Sequence, residues 1–428
     1  PGRGTMARMN RLIVVGLVLF IAGIPLLPTI ERKVEATLLT SLLLLLGLYI
    51  RARMGGHPVR TSLDAPGVTL LLVAAAATVA SVDPFGSLFP SSLRGEGLLT
   101  FAAYIIAGLA ASRLDRRDIH TVTAAALISA TLVGIIALAQ FYGMPVSAWL
   151  GIEGIQRDGR TPGTLGNPFF LGGYVSLILP VSVPLAVLAR SERTWWIYTG
   201  ACTLLFAAAV TAQTRTAWAA LAAASVLLAG LLPRSSQIRR RLIVLVAIGV
   251  ATAVVLDFTN PRVSFGRRAA FTFDPSDSSL EQRIYVWRHT LPMIAQRPLL
   301  GWGFGALLGR FPDVGSAEWL RLYGRRIIGI DTPHTETLHM AFSIGLLGFA
   351  AYLWVWTRIG VSLRRALRAR GASALEVGLA AAMVAYGMWL QLGWSHMGPV
   401  NVFWVLAGAA VALGREESPE AYLPPVAS

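Results

Sequence analysis

Ten arginines fall within residues 258–336, and that stretch closes with Asp331-Thr332-Pro333-His334-Thr335-Glu336. A guanidinium is a planar fork of donors that grips phosphate oxygens two at a time. A neutral imidazole can take up a proton near neutral pH and so activate a hydroxyl. Together these residue types suit chemistry at a phosphate or diphosphate: arginine stabilises charge while histidine removes a proton. His334 stands just before an apolar run, where a side chain would meet a membrane–water boundary. Its plainer reading is a histidine satisfying a local hydrogen bond. Glu336 and His339 are near enough to orient it or to compete for the role.

Other charged positions carry similar alternatives. Arg283 lies three residues after Leu280 and four before Trp287, at the edge of a helical apolar stripe made by Leu280, Ile284, Trp287, Leu291 and Ile294. It is either a phosphate ligand held by packing or an arginine laying its stem over apolar surface. Arg288 is a further supporting candidate on the same stretch. Arg215, in Gln213-Thr214-Arg215-Thr216-Ala217-Trp218, starts an apolar run. It either snorkels to lipid phosphate or adds its charge to a helix N-terminus that already favours anions. Leu93-Arg94-Gly95-Glu96-Gly97 is a charged pair between glycines, readable as a helix cap or as part of a site. Gly163-Thr164-Leu165-Gly166-Asn167-Pro168 opens another run, with Pro suited to a first helical turn, and Arg157 and Arg160 precede it. Gly301-Trp302-Gly303-Phe304-Gly305 makes no nucleotide-binding loop, because no strand unit surrounds it. Asp, Glu, His and Cys nowhere fall at metal-ligand spacing, and Asp274 and Asp277 read as a cap before Leu280. No metal and no cofactor are expected.

The elements that must position these residues are membrane helices. The chain has 428 residues, 55% hydrophobic and 14% charged, with a mean hydropathy of +0.61, whereas soluble domains carry about 25% charged residues. Cys202 is the sole cysteine, which excludes an internal disulfide. The formal charge of +15 does not point to nucleic acid, because the basic residues form short clusters between apolar runs. All but Lys33 of the 37 basic residues are arginine. The first run, from Leu12, lacks a small-residue cleavage pattern and is expected to remain as a helix.

A crossing helix needs about 20 apolar residues, and twelve runs qualify: near 11–30, 34–51, 65–82, 97–112, 119–141, 168–189, 195–211, 215–232, 241–257, 337–358, 375–394 and 399–414. With both termini cytoplasmic, every short basic cluster falls on one face, among them Arg51 and Arg53, Arg113 to Arg117, Arg239 to Arg241, and Arg358 to Arg370, as the positive-inside rule requires. The loops 81–96, 141–167, 212–215 and 258–336 then share the outer face. The expected fold is therefore an all-α polytopic membrane protein of about 12 transmembrane helices. Helices 1–9 occupy residues 1–257, an extracytoplasmic loop with its own helices 258–336, helices 10–12 residues 337–414, and a cytoplasmic tail 415–428. Arginines gathered on the outer face, where positive charge is normally sparse, call for an anionic partner such as a lipid-linked phosphate.

Taken in order, these stretches resemble the O-antigen ligase and polymerase superfamily of bacterial membrane glycosyltransferases. The matching residues are Arg94 to Gly97, Gly163 to Pro168, Thr214 to Trp218, Gln282 to Trp287, Arg297 to Gly303, His334 to Leu338 and Gly345 to Gly348. The chain departs at Thr337, where the family often has an aromatic residue. The resemblance implies a glycosyltransferase type C fold in the bacterial inner membrane, its active site facing the periplasm or exterior. It implies a donor glycan on undecaprenyl diphosphate and an acceptor hydroxyl, on lipid A-core for a ligase or on another glycan or protein for a polymerase or oligosaccharyltransferase. On the same ground Arg215 and Arg283 would bind the diphosphate and His334 would be the base. Arg94, Glu96, Arg160, Asn167, Arg288 and Glu336 would support them. A transporter of the same lipid-linked glycans would also need outward arginines, but transporters tend to carry repeated halves and ionisable groups at the midplane. Here the runs are nearly free of charge and no repeat is evident. Since arginines stand where many diphosphate enzymes place a cation, transfer should survive excess EDTA. An assay with chelator, then with added magnesium or manganese, checks this, and a loss restored by one metal would overturn it.

Overall fold

A computed structural model describes residues 3–53, 59–91, 94–152, 159–260, 279–323, 330–369 and 373–415. Every regular element among them is a helix. Helix α1 (Arg3–Val18) continues through a π turn and a 3₁₀ turn to Leu26. There follow α2 (Ile30–Arg53), α3 (Asp64–Val79), the short α4 (Pro84–Leu88), α5 (Leu98–Ala111), α6 (Arg116–Phe141) and the short α7 (Val146–Leu150). Next come α8 (Pro168–Val187), α9 (Glu192–Ala212), α10 (Arg215–Leu231) and α11 (Ser236–Thr259). The last five are α12 (Ser279–Gln296), α13 (Ala306–Tyr323), α14 (Glu336–Ala369), α15 (Ala374–Gln391) and α16 (Pro399–Arg415).

Each of the twelve apolar runs coincides with a helix. Seven of them, α2, α6, α8, α9, α11, α14 and α15, are long and apolar enough to cross a membrane, and the other five are shorter apolar helices. Small residues let the axes approach closely, as expected where lipid supplies no hydrophobic drive between helices. A Cβ on Gly408 of α16 would strike the Gly108 carbonyl of α5, and one on Gly378 of α15 would come within 2.9 Å of Val181 Cα of α8. The largest fully buried side chains are aromatics such as Trp389, Trp404, Tyr174 and Tyr386.

The contacts between loops divide the molecule into two ends. At one, Arg113 pairs with Asp64, Arg116 with Glu376, and Arg415 donates to the Ser112 carbonyl. Arg113 and Arg116 belong to one of the basic clusters assigned above to a single face. At the other end Arg94 pairs with Asp331, Ser87 donates to the Phe304 carbonyl, and Arg297 donates to the Ala80 carbonyl. Arg160 meets the Ala212 carbonyl there. The loops expected to share the other face do meet one another.

Helix α14 is broken. Gly345 has φ 68° and ψ −178°, so the helical ladder stops there and resumes beyond it. The stretch after α12 lies in the gap. Trp302 N donates to Phe342 O and Gly303 N to Ser343 O, while Leu346 N donates to Pro298 O. The freed backbone groups of α14 thus find partners in 298–303, which apolar surroundings demand. The three glycines after Leu300 all have positive φ, as expected of a loop, and a Cβ on Gly301 would collide with the Phe342 carbonyl.

The expected stripe of α12 is only partly in phase with its packing. Ile284 and Leu291 are exposed, while Tyr285, Val286, Met293 and Ile294 are buried against Leu307, Phe311 and Trp319 of α13 and Phe342 of α14. The helix is apolar on two sides, and periodicity alone does not tell a lipid-facing side from a core-facing one.

Gly345→Ala should lower stability by at least about 1–2 kcal/mol, since an L side chain is strained in this region and its Cβ would also strike Leu299 O. Gly360→Ala, in the same helix with open space around it, should be neutral or gain up to about 1 kcal/mol. Melting of the two purified variants in detergent reads the difference.

Candidate functional site

At the outer end by the expected topology, His334 sits in the turn before α14 with φ 55°, a left-handed conformation uncommon for a non-glycine residue. Trp287 of α12 holds this turn by donating its indole N–H to Pro333 O at 2.7 Å. The imidazole ring lies 4.7 Å from the ring of Trp394, and its Nδ1 is buried without a hydrogen-bond partner. Arg94 packs its guanidinium over the same indole, 4.7 Å from the ring centre, and holds Asp331 with two nitrogens. Arg283 of α12 donates to Leu392 O at 2.5 Å. Burial, then the cations Arg283 and Arg94, push the His334 pKa down to about 3. The imidazole is therefore neutral at physiological pH, with a lone pair available and two cations beside it.

Behind this turn lies a second charged group. Glu96, in the bend before α5, has its Oε1 2.8 Å from Nε2 of His339 on α14. Glu336, the first residue of α14, accepts from Ser395 N at 2.7 Å and from Ser395 Oγ at 2.6 Å. Burial raises the Glu96 pKa, but His339 and Arg94 outweigh it and hold the carboxyl below its usual range. The charged pair in Arg94-Gly95-Glu96 is thus no local cap, since each member faces a different partner. Gly95, with φ 64°, lets the backbone pass Val34 and Met397, which a Cβ would meet.

Arg215 is the first residue of α10 and follows Gln213, itself left-handed at φ 48°. Arg160 steadies this turn through Ala212 O. The turn packs on α8, where a Cβ on Gly172 would meet Thr214 Oγ1. One turn earlier Phe169 stacks on Trp394 at 5.0 Å, linking the start of α10 to the wall of His334. Asn167 caps α8 by accepting from Phe169 N, with Pro168 at the first position, as its sequence suggested. Arg288 is not brought in; it is exposed, with Glu318 of α13 at 3.9 Å. Among the described residues no three of His, Cys, Asp or Glu converge to hold a metal ion. Asp274, Asp277 and Arg157 lie outside the described residues.

An apolar groove of about 780 Å³ runs between α10, α14 and α15, lined by Leu227, Leu231, Trp356, Leu363 and Met388 among others. Trp356, Gly387 and Gln391 also line a space of about 230 Å³ that reaches Glu336 and Thr337. The polar end and the groove are therefore neighbours.

The loop between α15 and α16 was missed by the sequence reading. Residues 392–398 supply Trp394 to His334, Ser395 to Glu336, and His396, whose ring stacks on Phe170 at 3.5 Å. Burial, then Arg94, push the His396 pKa down to about 3. Its signal is Trp394-Ser395-His396 between two apolar runs, obscured because the first run extends to Trp394. Lys33, the sole lysine, is buried here too and donates to Thr164 O at 2.8 Å.

Helices of crossing length with a charged cluster at one end define a polytopic, all-helical membrane protein. Residues 200–353, from α9 into α14, match the O-antigen ligase family model. The match takes in Arg215, Arg283, His334 and Glu336; it supports the O-antigen ligase and polymerase superfamily, and with it a glycosyltransferase-like enzyme. No curated protein matches the chain.

His334 and His396 carry a pH signature. Folding lowers both pKa values below the ordinary imidazole value of about 6.5, so their contribution to stability is complete above that pH and is lost as pH falls toward about 3. Arg94→Gln removes one cation and should raise the His334 pKa, moving the acid limb of activity upward. An NMR titration of the imidazoles with the pH–rate profile checks this, and an unmoved limb would refute it.

Proposed function

We propose that the protein transfers a glycan from undecaprenyl diphosphate to an acceptor hydroxyl at the outer face of the bacterial cytoplasmic membrane. The acceptor we favour is lipid A-core, as for an O-antigen ligase. The fold would be of glycosyltransferase type C with twelve spans and both termini cytoplasmic. The observation that carries this reading is the His334 imidazole against Trp394, with the Arg94 guanidinium over the same indole. A bound diphosphate would offset the nearby cations and bring the imidazole toward the range in which a base works.

In this reading Arg283 and Arg215 stabilise the charge that develops on the diphosphate as its bond to the anomeric carbon breaks. Preorganised cations do this best in a site shielded from water. His334 takes the proton of the attacking hydroxyl, and the single displacement inverts the anomeric centre. Donor energy is stored in the sugar–diphosphate bond, so neither nucleotide nor metal is needed. The groove beside the site has the apolar lining that a polyprenyl chain would require. Arg160 supports the Arg215 turn and Asn167 the start of α8. A polymerase would use the same groups with a glycan acceptor, and genes neighbouring its own, for lipid A-core or for capsule, would separate the two.

Purified protein with a synthetic lipid-linked donor tests the assignment. Arg283→Ala should abolish transfer while leaving membrane insertion intact, and Arg283→Lys should also be poor because a point charge cannot replace the fork. His334→Ala should cost about 10²–10⁴-fold in rate yet keep donor binding. Full activity in Arg283→Ala, or a loss of tenfold or less at His334, would sink the corresponding role.

A further inference from the structure

The Glu96, His339 and Glu336 group is not explained by diphosphate binding or by a single base. Glu336 and His339 are buried and the Glu96 side chain is 19% exposed, and together with Arg94, Tyr104 and Tyr352 they line a chamber of about 40 Å³. Among the polar atoms of these residues, Arg94 Nη1 and His339 Nδ1 are buried without a hydrogen-bond partner. His339 itself is only 4% exposed. A space of about 10–15 Å³ with several polar partners suffices for a water molecule. By the same measure this chamber takes roughly three or four.

The charges make the chamber a place for a proton. Asp331 occupies two nitrogens of Arg94, so that pair is close to neutral. What remains is two carboxylates and one imidazole, with the phenols of Tyr104, Tyr352 and Tyr386, neutral His396 and, further off, Lys33 around them. With His339 protonated the three carry one net negative charge, and one added proton neutralises them. Two carboxylates close together in low dielectric resist being ionised at once.

His334 needs such an acceptor. Its cationic form is disfavoured by burial and by the arginines on either side. Glu336 stands two residues along the chain, and Ser395 pins its carboxylate one residue from Trp394, the wall of His334. The other nearby carboxylate, Asp331, is already taken by Arg94.

We propose that Glu96, His339 and Glu336, with water held in the chamber they line, form a buried proton-holding site that receives the acceptor's hydroxyl proton from His334. The proposal rests on the glycosyl-transfer reading above. As the acceptor oxygen bonds to the anomeric carbon, the bond from that carbon to the diphosphate oxygen breaks and its electron pair leaves with the diphosphate. The proton passes to His334 and on to Glu336, and returns to solvent or product before the next turnover. Five residues along one helix would set His339 about 140° from His334. His334 precedes the helix and has left-handed backbone, so that angle does not apply.

The test compares wild type, Glu336→Gln and Glu336→Asp, each purified, with undecaprenyl diphosphate-linked glycan and a soluble acceptor. Glu336→Gln should lower kcat by roughly tenfold to a hundredfold, the lower range of proton-transfer contributions. Its donor Kd should be unchanged, its solvent deuterium effect larger, and Glu336→Asp should recover part of the rate. A wild-type kcat and isotope effect in Glu336→Gln would overturn the proton site and leave the transfer reading standing. No transfer by wild type would overturn the transfer reading itself. An infrared pH titration without substrate tests the chamber in either case. Wild type should show a buried carboxyl band that Glu336→Gln removes, and identical spectra would refute the site. Should Glu336→Gln fail to fold, His339→Gln, three residues along α14, should lower kcat and shift the same band. No effect on either would count equally against the proposal.

Discussion

A broken helix inside an apolar bundle must find partners for every backbone group it releases, and the outer half of this molecule is arranged around one such break. Gly345 turns α14 out of helical geometry, and residues 298–303 supply the missing donors and acceptors. Those residues also form the link from α12 to α13. One set of backbone hydrogen bonds therefore fixes the first turns of α14, with Glu336 and His339, relative to α12, with Arg283 and Trp287. Trp287 in turn holds the carbonyl of Pro333, the residue before His334. The position of the imidazole is thus tied to a glycine eleven residues further along the chain.

Around this frame the ionised groups are paired so that few stand alone in a desolvated setting. Burying a lone ion costs several kcal/mol even after relaxation, and the structure avoids this by pairing Arg94 with Asp331, Glu96 with His339, and Glu336 with Ser395. Aromatic rings fill the space between them. Trp394 touches His334, Arg94 and Phe169 at once, so its indole separates the cations from the apolar body below. The same pairing leaves two imidazoles near Arg94, His334 and His396, without charge.

Much of the architecture was legible in one dimension. Long apolar runs, the glycines of Gly301 to Gly305, the Asn167-Pro168 helix start and the turn before Arg215 all appear where the residue types put them. Their signals are local, because hydropathy, φ preference and capping depend on residues a few positions apart. The phase of α12 was less legible. Ile284 and Leu291 are as apolar as the buried Val286 and Met293, and the choice between lipid and core depends on where α13 lies.

The sequence by itself therefore determined the class of protein, the order of its helices, and that Arg94, Arg215 and His334 stand near helix ends. Only the tertiary structure decided which of these meet. Arg94 finds Asp331 more than two hundred residues away rather than Glu96 beside it, His339 becomes a partner of Glu96, Arg288 turns aside to Glu318, and the loop 392–398 enters the site. The reason is physical. Spacing along a chain reports which face of one helix a residue occupies, whereas a charge buried between helices takes the partner that packing places within about 3 Å, whatever its distance in sequence.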